Sequence, residues 1–449
     1  MRDVQLAYAT RPAPRYTSYP TAPHFSDAIG AAEYSEWLAA LPPQKPISLY
    51  LHVPFCRQIC WYCGCNMKLV KREEPLAEYA AALKREIDMI AGLLPGRMKV
   101  SHLHFGGGTP TALKPDALTS IMERVRARFD FTPGAEIAIE SDPRTLSDDM
   151  IVRIGELGFT RASFGVQEFD PSVQKAINRV QPVSMVAKAV KKLRRAGVRG
   201  INFDLIYGLP HQTLDMLRTT IAVTSAIGAD RCALFSYAHV PWMAKRQRLI
   251  DAAALPDAKT RVEMAAAGAE AFAAQGYQAI GLDHYALPDD ALAVAARSGA
   301  LRRNFQGYTT DRAETMIGFG ATSIGKTPFG YVQNQPEVGA WDRAVAEGVP
   351  AIAKGVALGG EDVLRRYVIE QLMCDGAVDL NAAAAMHSAP ADWAMEEDPA
   401  LRDMQADGVL NLDGGKLTLT ETGKPLARVV ASVFDAYFEG GGARHSVAV

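Results

Sequence analysis

The sequence predicts an α/β fold built on a parallel sheet. Two patterns carry that prediction: short strand-like runs recur between residues 47 and 238, and helical patterns separate them. The first run, "ISLYLHV", alternates, with Ile47, Leu49, Leu51 and Val53 on one face and Ser48, Tyr50 and His52 on the other; Pro54 ends it. Further runs are "KVSHLHF" near 99–105, "EIAIES" at 136–141, "RASFGVQ" at 161–167, "GINFDLIYG" at 200–208 and "RCALFSYA" at 231–238. A succession of this kind closes into a full or partial barrel, or opens into a doubly wound sheet. Glu140, Gln167, Asp204 and Tyr237 stand at or near the ends of these runs, the end of a barrel where sites form. Capping the next helix is the competing role for any one of them.

The 449 residues suffice for one large α/β core and a smaller appended unit. With 48% hydrophobic residues, 22% charged and a net charge of −2, the composition is that of a soluble globular protein without the cationic excess of a nucleic-acid binder. The opening "MRDVQLAYATRPAPRY" lacks the apolar core of a secretory signal, and no run of about 18 apolar residues follows. Six cysteines, four of them crowded together, are not a secreted disulfide framework, so the expected location is the cytoplasm, with no membrane segment.

Residues 252–300 turn Ala-rich and helical, and "LRRNFQGYTTD" at 301–311 breaks that pattern. From about 361 a different unit begins, ending in "GVLNLDGGKLTLTETG", where "DGG" turns one short strand back on another. Helices followed by such a ribbon resemble a winged helix. Residues 361–449 carry 7 Lys plus Arg against 15 Asp plus Glu, the wrong sign for binding phosphates, so packing or a lid role is expected instead of DNA binding. The expected division is an N-terminal arm (1–45), a barrel with its extension (46–360) and a C-terminal, mostly helical unit (361–449).

The chemistry is concentrated in "HVPFCRQICWYCGCNM". Cys56, Cys60 and Cys63 form CxxxCxxC in the loop after the first strand, and Cys65 follows. Neighbours so close reach the Cα separation of a disulfide only with strain, which favours a ligand cluster. Structural zinc commonly uses two separated knuckles, and no second CxxC pair exists here. An ordinary ferredoxin cluster uses four thiolates. Three cysteines on one loop can instead bind three corners of a [4Fe–4S] cluster and leave the fourth iron open.

"CRQICWYC", with an aromatic residue before its last cysteine, resembles the signature of radical S-adenosylmethionine (SAM) enzymes, in which the open iron chelates SAM and a 5′-deoxyadenosyl radical is formed. "HFGGGTPT" at 104–111 is not a dinucleotide-binding pattern, since Thr109 and Pro110 interrupt it; in this superfamily a Gly-rich segment here receives the amino group of SAM. The likeness then narrows. "PRYTSYPTAPHF", "IESDPR", "FGVQEFD", "INRVQ", "FDLIYGLP", "YAHVP" and "RNFQGYTT" resemble the oxygen-independent coproporphyrinogen III oxidase (dehydrogenase) family along nearly the whole chain.

That resemblance implies a partial (β/α)6 TIM-like barrel with an N-terminal arm and a C-terminal winged-helix-like domain. It implies an oxidoreductase of haem (porphyrin) biosynthesis that converts two propionates of coproporphyrinogen III to vinyl groups, giving protoporphyrinogen IX. Its cofactors would be a [4Fe–4S] cluster and two SAM molecules; it would be a monomer served by an electron donor such as flavodoxin or ferredoxin. Carried over residue by residue, Cys56, Cys60 and Cys63 would ligate the cluster, without Cys65. Tyr50, Gly107, Glu140 and Ile324 would contact the cluster-bound SAM. Tyr62, Gly108, Thr109, Gln167, Arg179, Asp204 and Ala238 would line the SAM sites, chiefly that of the second molecule. Arg179 has a competing role as a helix-end cation.

No side chain is assigned as catalytic; His52 is a candidate proton donor or cluster-tuning group, with a structural role as its competitor. Four propionates need cations, for which Arg11, Arg15, Arg302 and Arg303 are candidates, and the arm is expected to pack over the barrel mouth and exclude water. Three other readings stand beside the enzyme of this family: a haem chaperone that keeps the barrel and the three cysteines, a radical SAM enzyme acting on another tetrapyrrole, and a passive cluster or zinc protein.

Overall fold

The computed structural model describes residues 2–390, 393 and 398–438. All six predicted strands form: β1 (Ile47–Val53), β2 (Lys99–Gly107), β3 (Asp130–Ser141), β4 (Arg161–Gln167), β5 (Gly200–Tyr207) and β6 (Arg231–Ser236). They lie side by side in chain order, each parallel to the next. The crossovers are helices α1 (Glu74–Leu93), α2 (Pro115–Arg128), α3 (Asp148–Glu156), α4 (Val183–Arg195) and α5 (Leu214–Ile227). Their starts are written locally: the Ser147 and Thr213 hydroxyls accept from the Met150 and Met216 amides, both at 3.2 Å, and α2 begins with Pro115.

Period-two alternation sorts the strand residues. Leu49, Leu51, Val53, Leu103, Phe105, Ile139, Phe164 and Phe203 are buried in the main core, which also takes Leu83 and Ile87 from α1. The opposite faces carry His104, Glu140, Ser163 and Asp204 into a cavity of about 200 Å³. One face of the sheet therefore holds it together, and the other holds the chemistry.

The sheet runs beyond the six strands. β7 (Gln278–Ile280) and β8 (His284–Ala286) add antiparallel beside β6, inside a stretch expected to be helical; the flanking Ala-rich segments at 258–274 and 291–297 are helices. β9 (Arg302–Asn304) and β10 (Gly307–Thr309) make a hairpin. β11 (Met316–Phe319) then returns to pair parallel with β1, making a seventh parallel strand, and β12 (Ile324–Thr327), β13 (Gly330–Asn334) and β14 (Ile352–Ala357) follow antiparallel. The order β14-β13-β12-β11-β1-β2-β3-β4-β5-β6-β8-β7 leaves an open, partial barrel.

The C-terminal unit has a core of its own, with helix Asp362–Asp375 packed on β15 (Ala377–Asp379), β16 (Leu410–Asp413) and β17 (Lys416–Leu419). The expected ribbon forms between β16 and β17, and Gly414 and Gly415, at φ +54° and +80°, supply the left-handed pair that a two-residue hairpin needs. The arm joins this unit. Tyr8, Ala13, Tyr16 and Tyr19 are buried in the C-terminal core, and the Tyr16 hydroxyl donates to Asp435 at 3.0 Å. Tyr16 to Tyr19 also line a cavity with Arg302 and Arg303 of β9. The next residues of the same hairpin, Gln306 and Tyr308, line the barrel cavity. The first part of the arm thus meets the C-terminal unit and the β9–β10 hairpin, whereas its second part packs on the barrel itself: Ser26 pairs with Gly355 of β14, and Tyr34, Leu38 and Leu41 are buried in the main core.

Candidate active site

The cysteine loop leaves β1 and is fastened from several sides. The Asn178 amide donates to the Ile59 carbonyl at 2.8 Å, and the Trp61 N–H donates to the Ile177 carbonyl at 3.0 Å. Gln247 donates to the carbonyls of Tyr62 at 2.7 Å and Ala238 at 3.1 Å, tying both predicted residues to one side chain. Cys60 is buried, Cys56 and Cys63 are half-buried, and Cys65 is exposed.

Each of the three motif sulfurs has a donor. The Thr109 hydroxyl lies 3.3 Å from Cys56 Sγ, and the Cys65 N–H lies 3.4 Å from Cys63 Sγ. Arg144 and Arg179 reach Cys60 Sγ at 3.2 and 3.3 Å. Three sulfurs on one loop, each met by a donor, fit the corners of a cluster; the bond from Cys65 brings the Cys63 thiol down to about 6, while burial pushes Cys56 up to about 11 until a metal replaces its proton. Among the described residues, no three His, Cys, Asp or Glu are gathered closely enough for a single metal ion; cluster corners set their thiolates wider apart than one zinc does.

The Arg179 guanidinium is buried, bonds Cys60 and lies 3.4 Å from Asp142, so it does not serve as a helix-end cation. Arg144 grips both oxygens of Asp142, at 2.9 Å to Oδ1 and at 2.6 Å to Oδ2, the oxygen it shares with Arg179. Asp142 and Arg144 belong to the "IESDPR" motif, yet the sequence reading did not single them out. Their position just past the end of β3 was the available signal. Gln167, at φ +70°, folds back so that its amide and Arg179 both lie over Gly165, where a Cβ would meet them at 2.6 and 3.3 Å.

Beside the cysteine loop, Gly106 to Gly108 form a ledge that admits no side chain. A Cβ on Gly106 would meet Glu140 at 2.8 Å and the Tyr50 ring at 2.9 Å; one on Gly107, at φ +114°, would meet the His52 ring at 2.7 Å; one on Gly108 would meet the Phe55 backbone at 2.7 Å. Glu140 accepts from the Gly107 N–H at 3.1 Å and from His104 at 3.0 Å. The Tyr50 hydroxyl bonds His52 Nδ1 at 2.8 Å, and its ring stacks on His104. Gly106 and His104, both inside the "HFGGGTPT" motif, are further site residues without an individual role in the resemblance.

Burial pushes His52 down to about 4, so it is neutral at pH 7, and its Nε2 is buried without a partner. Burial, reinforced by Glu140, pushes Asp204 up to about 7. Ile324 opens β12, and its carbonyl packs so closely on Gly318 that a Cβ there would sit 2.8 Å away. Tyr237, though at a strand end, bonds His239 at 3.0 Å and packs in a small apolar cluster with Val173, Ile206 and Leu209.

Helix α1 sets the loop before Ile324. The Tyr79 hydroxyl donates to the His52 carbonyl at 2.8 Å and accepts from the Ala321 N–H at 3.0 Å. Glu86 accepts from the Gly320 N–H at 2.6 Å, Asn334 at 2.7 Å and Trp341 at 3.0 Å, and burial raises its pKa from 4.5 to about 7. The folded chain therefore holds this proton where the unfolded chain has released it. Stability is full below about pH 4.5 and falls as pH rises through 7, by roughly 3 kcal/mol in all. Glu86→Gln is expected to remove that decline; denaturant titrations at pH 5 and 8 check it, and an unchanged slope in the variant would count against it.

Comparison with known proteins agrees with this geometry. Residues 50–223 match the radical SAM superfamily, and residues 358–426 match the HemN C-terminal domain. The chain is 47% identical over 447 residues to an oxygen-independent coproporphyrinogen III oxidase of Bradyrhizobium diazoefficiens, covering 100% of this chain and 99% of that one. It is 42% identical over 424 residues to the enzyme of the same name from Paracoccus denitrificans, covering 94% of each. The solved structure of coproporphyrinogen III oxidase (HemN) from Escherichia coli, described as a radical SAM enzyme, superposes with a TM-score of 0.90 at 37% identity, over 94% of this chain and 98% of that one. Motif, barrel, C-terminal unit and full-length similarity coincide: the chain belongs to the oxygen-independent coproporphyrinogen III oxidase family of radical SAM enzymes.

Proposed function

We propose that the protein decarboxylates two propionate side chains of coproporphyrinogen III oxidatively and without oxygen, giving the two vinyl groups of protoporphyrinogen IX. The observation that carries this reading is the set of three thiols, each with its own hydrogen-bond donor, beside a glycine ledge and Glu140 at the polar end of the barrel. Cys56, Cys60 and Cys63 would hold a [4Fe–4S] cluster, which with SAM supplies a carbon radical able to abstract hydrogen from an unactivated position. Tyr50, Gly107, Glu140 and Ile324 would orient the SAM on the open iron. Tyr62, Gly108, Thr109, Gln167, Arg179, Asp204 and Ala238 would line the SAM sites, chiefly the second. The three units at 1–45, 46–360 and 361–449 then act as arm, catalytic barrel and support.

Anaerobic incubation of cluster-replete protein with dithionite, SAM and coproporphyrinogen III tests the reading. Joint appearance of 5′-deoxyadenosine and protoporphyrinogen is expected. The first without the second would reject the substrate, and stoichiometric haem binding with neither would favour the chaperone.

The substrate's carboxylates need a cationic receptor. The cavity of about 180 Å³ beneath the arm is lined by the cations Arg302, Arg303, Arg312, Lys326 and Arg366 against the carboxylates Asp311, Glu314 and Glu370, which leaves cations in excess. Arg303 Nε and Nη1 and Arg366 Nη1 are buried there without partners, as donors awaiting an anion would be. Arg303→Met is expected to raise KM for coproporphyrinogen at least about tenfold while SAM cleavage continues; a KM within twofold of wild type would remove Arg303 from the site.

A cytoplasmic protein fits the six free thiols, and a net charge of −2 gives no overall cationic excess for nucleic acid. No helix among the described residues is long and apolar enough to cross a membrane. The cluster's electron would come from a small redox protein such as flavodoxin or ferredoxin.

A further inference from the structure

Reduction of a cluster at Cys56, Cys60 and Cys63 requires an electron from outside the chain, and one surface segment is built against the loop that would hold it. Residues 240–250 contain three Lys or Arg (Lys245, Arg246 and Arg248) and no Asp or Glu, in a protein whose net charge is −2. Within that stretch Trp242 is 51% exposed, Met243 72% and Leu249 60%, and Met243 is the most exposed large apolar side chain among the described residues. Lys245 and Arg248, also exposed, stand between and beside them.

The short 3-10 turn Lys245–Leu249 does not float above the barrel. Its Arg246 donates to the Cys65 carbonyl at 3.3 Å, and its buried Gln247 donates to the Tyr62 carbonyl at 2.7 Å and accepts from the Val240 N–H at 2.6 Å. The turn is therefore pinned to the backbone on both sides of Cys63. The turn and the residues just before it present Trp242, Met243, Leu249, Lys245 and Arg248 to solvent.

Nothing in the folding of the chain needs Trp242, Met243 and Leu249 at the surface, where each forgoes burial that is ordinarily favourable. Aromatic, Met and Arg side chains ringed by charge are the composition of an interface centre. Excess cation without acid selects an anionic partner and speeds its encounter.

We propose that residues 240–249 are the docking surface for an acidic one-electron carrier protein, which delivers its electron to the cluster through the Tyr62–Cys65 backbone they grip. This rests on the reading of the three-thiol loop as the cluster site. For a flavodoxin the step balances as one electron: the anionic flavin hydroquinone becomes the neutral semiquinone, the cluster passes from the 2+ to the 1+ state, and no proton moves. A small interface suits the role, because a carrier must leave after each delivery.

The test compares cluster-replete wild-type protein with the Met243→Glu/Lys245→Glu/Arg248→Glu variant. Stopped-flow absorbance follows cluster reduction by purified flavodoxin hydroquinone at low and high salt and, separately, by dithionite; calorimetry follows flavodoxin binding. The variant is expected to lose flavodoxin binding and at least about tenfold in flavodoxin-driven reduction, to lose the salt dependence of the wild type, and to be reduced by dithionite at the wild-type rate. Equal flavodoxin rates in the two proteins would overturn the proposal. So would wild-type rates indifferent to salt, or substitutions that instead abolish self-association or binding to anionic vesicles. If the triple variant does not fold, Met243→Glu alone carries the same comparison. A wild-type protein that dithionite cannot make cleave SAM would overturn the cluster reading itself, which is a separate result.

Discussion

Cys60→Ser is expected to leave a folded protein without a stable cluster, producing neither 5′-deoxyadenosine nor protoporphyrinogen. Cys60 is buried, and its sulfur takes contacts from Arg144 at 3.2 Å and Arg179 at 3.3 Å. Serine cannot supply the soft anionic ligand that iron prefers. The change also strips two buried guanidiniums of an anion they share, although Asp142 still pairs with both. Cys65→Ser is the matched control. Cys65 is the exposed residue, and it gives Cys63 a backbone N–H, which serine retains, and a thiol hydrogen bond, which the serine hydroxyl can replace. Iron and sulfide content, the electron paramagnetic resonance signal after reduction, and both products separate the two variants. Full iron retention and turnover in Cys60→Ser would remove this residue from the ligand set.

Gly108→Ala is expected to lower turnover by roughly a hundredfold or more, the scale of a misplacement near 1 Å. A methyl group there would sit 2.7 Å from the Phe55 carbonyl oxygen and 2.8 Å from the Phe55 nitrogen, and these are backbone atoms just before Cys56 that no rotamer change can move. Gly108 also donates its N–H to the Val53 carbonyl at 2.9 Å, so the strain passes to the end of β1 and the start of the cysteine loop together. Gly64→Ala lies in the same loop with nothing within 4 Å of its Cβ position, and is expected to keep most activity. Measuring SAM affinity and iron content alongside turnover shows whether the ledge or the cluster fails first. Equal activities for the two alanine variants would show that close backbone approach at Gly108 is not needed.

Parts of this molecule were legible early because they are local. The six parallel strands follow from alternation within single segments, and the cysteine loop follows from its own spacing. The ribbon turn at Gly414–Gly415 follows from two residues that tolerate positive φ. Other parts were not legible. β11 is a four-residue apolar run with no period to read, and only its pairing with β1 makes it a parallel strand. β7 and β8 are three residues each, inside an Ala-rich context whose helical propensity outweighs them. The arm shows aromatic residues and proline in sequence, but not that Tyr16 and Tyr19 belong to the C-terminal core.

The site divides in the same way. The sequence by itself determined the ligand-type residues, the glycine ledge as a motif and the strands that carry Tyr50, Glu140 and Asp204. Only the tertiary structure decided that Arg144 and Arg179, 84 and 119 positions from Cys60, share its sulfur, that Glu86 and Tyr79 of α1 set the loop before Ile324, and that a cationic turn near residue 247 grips the cysteine loop. The physical reason is separation. Spacing along a segment fixes which side chains share a strand face or a loop, whereas contacts between distant segments depend on strand register and packing, which no single stretch of sequence contains.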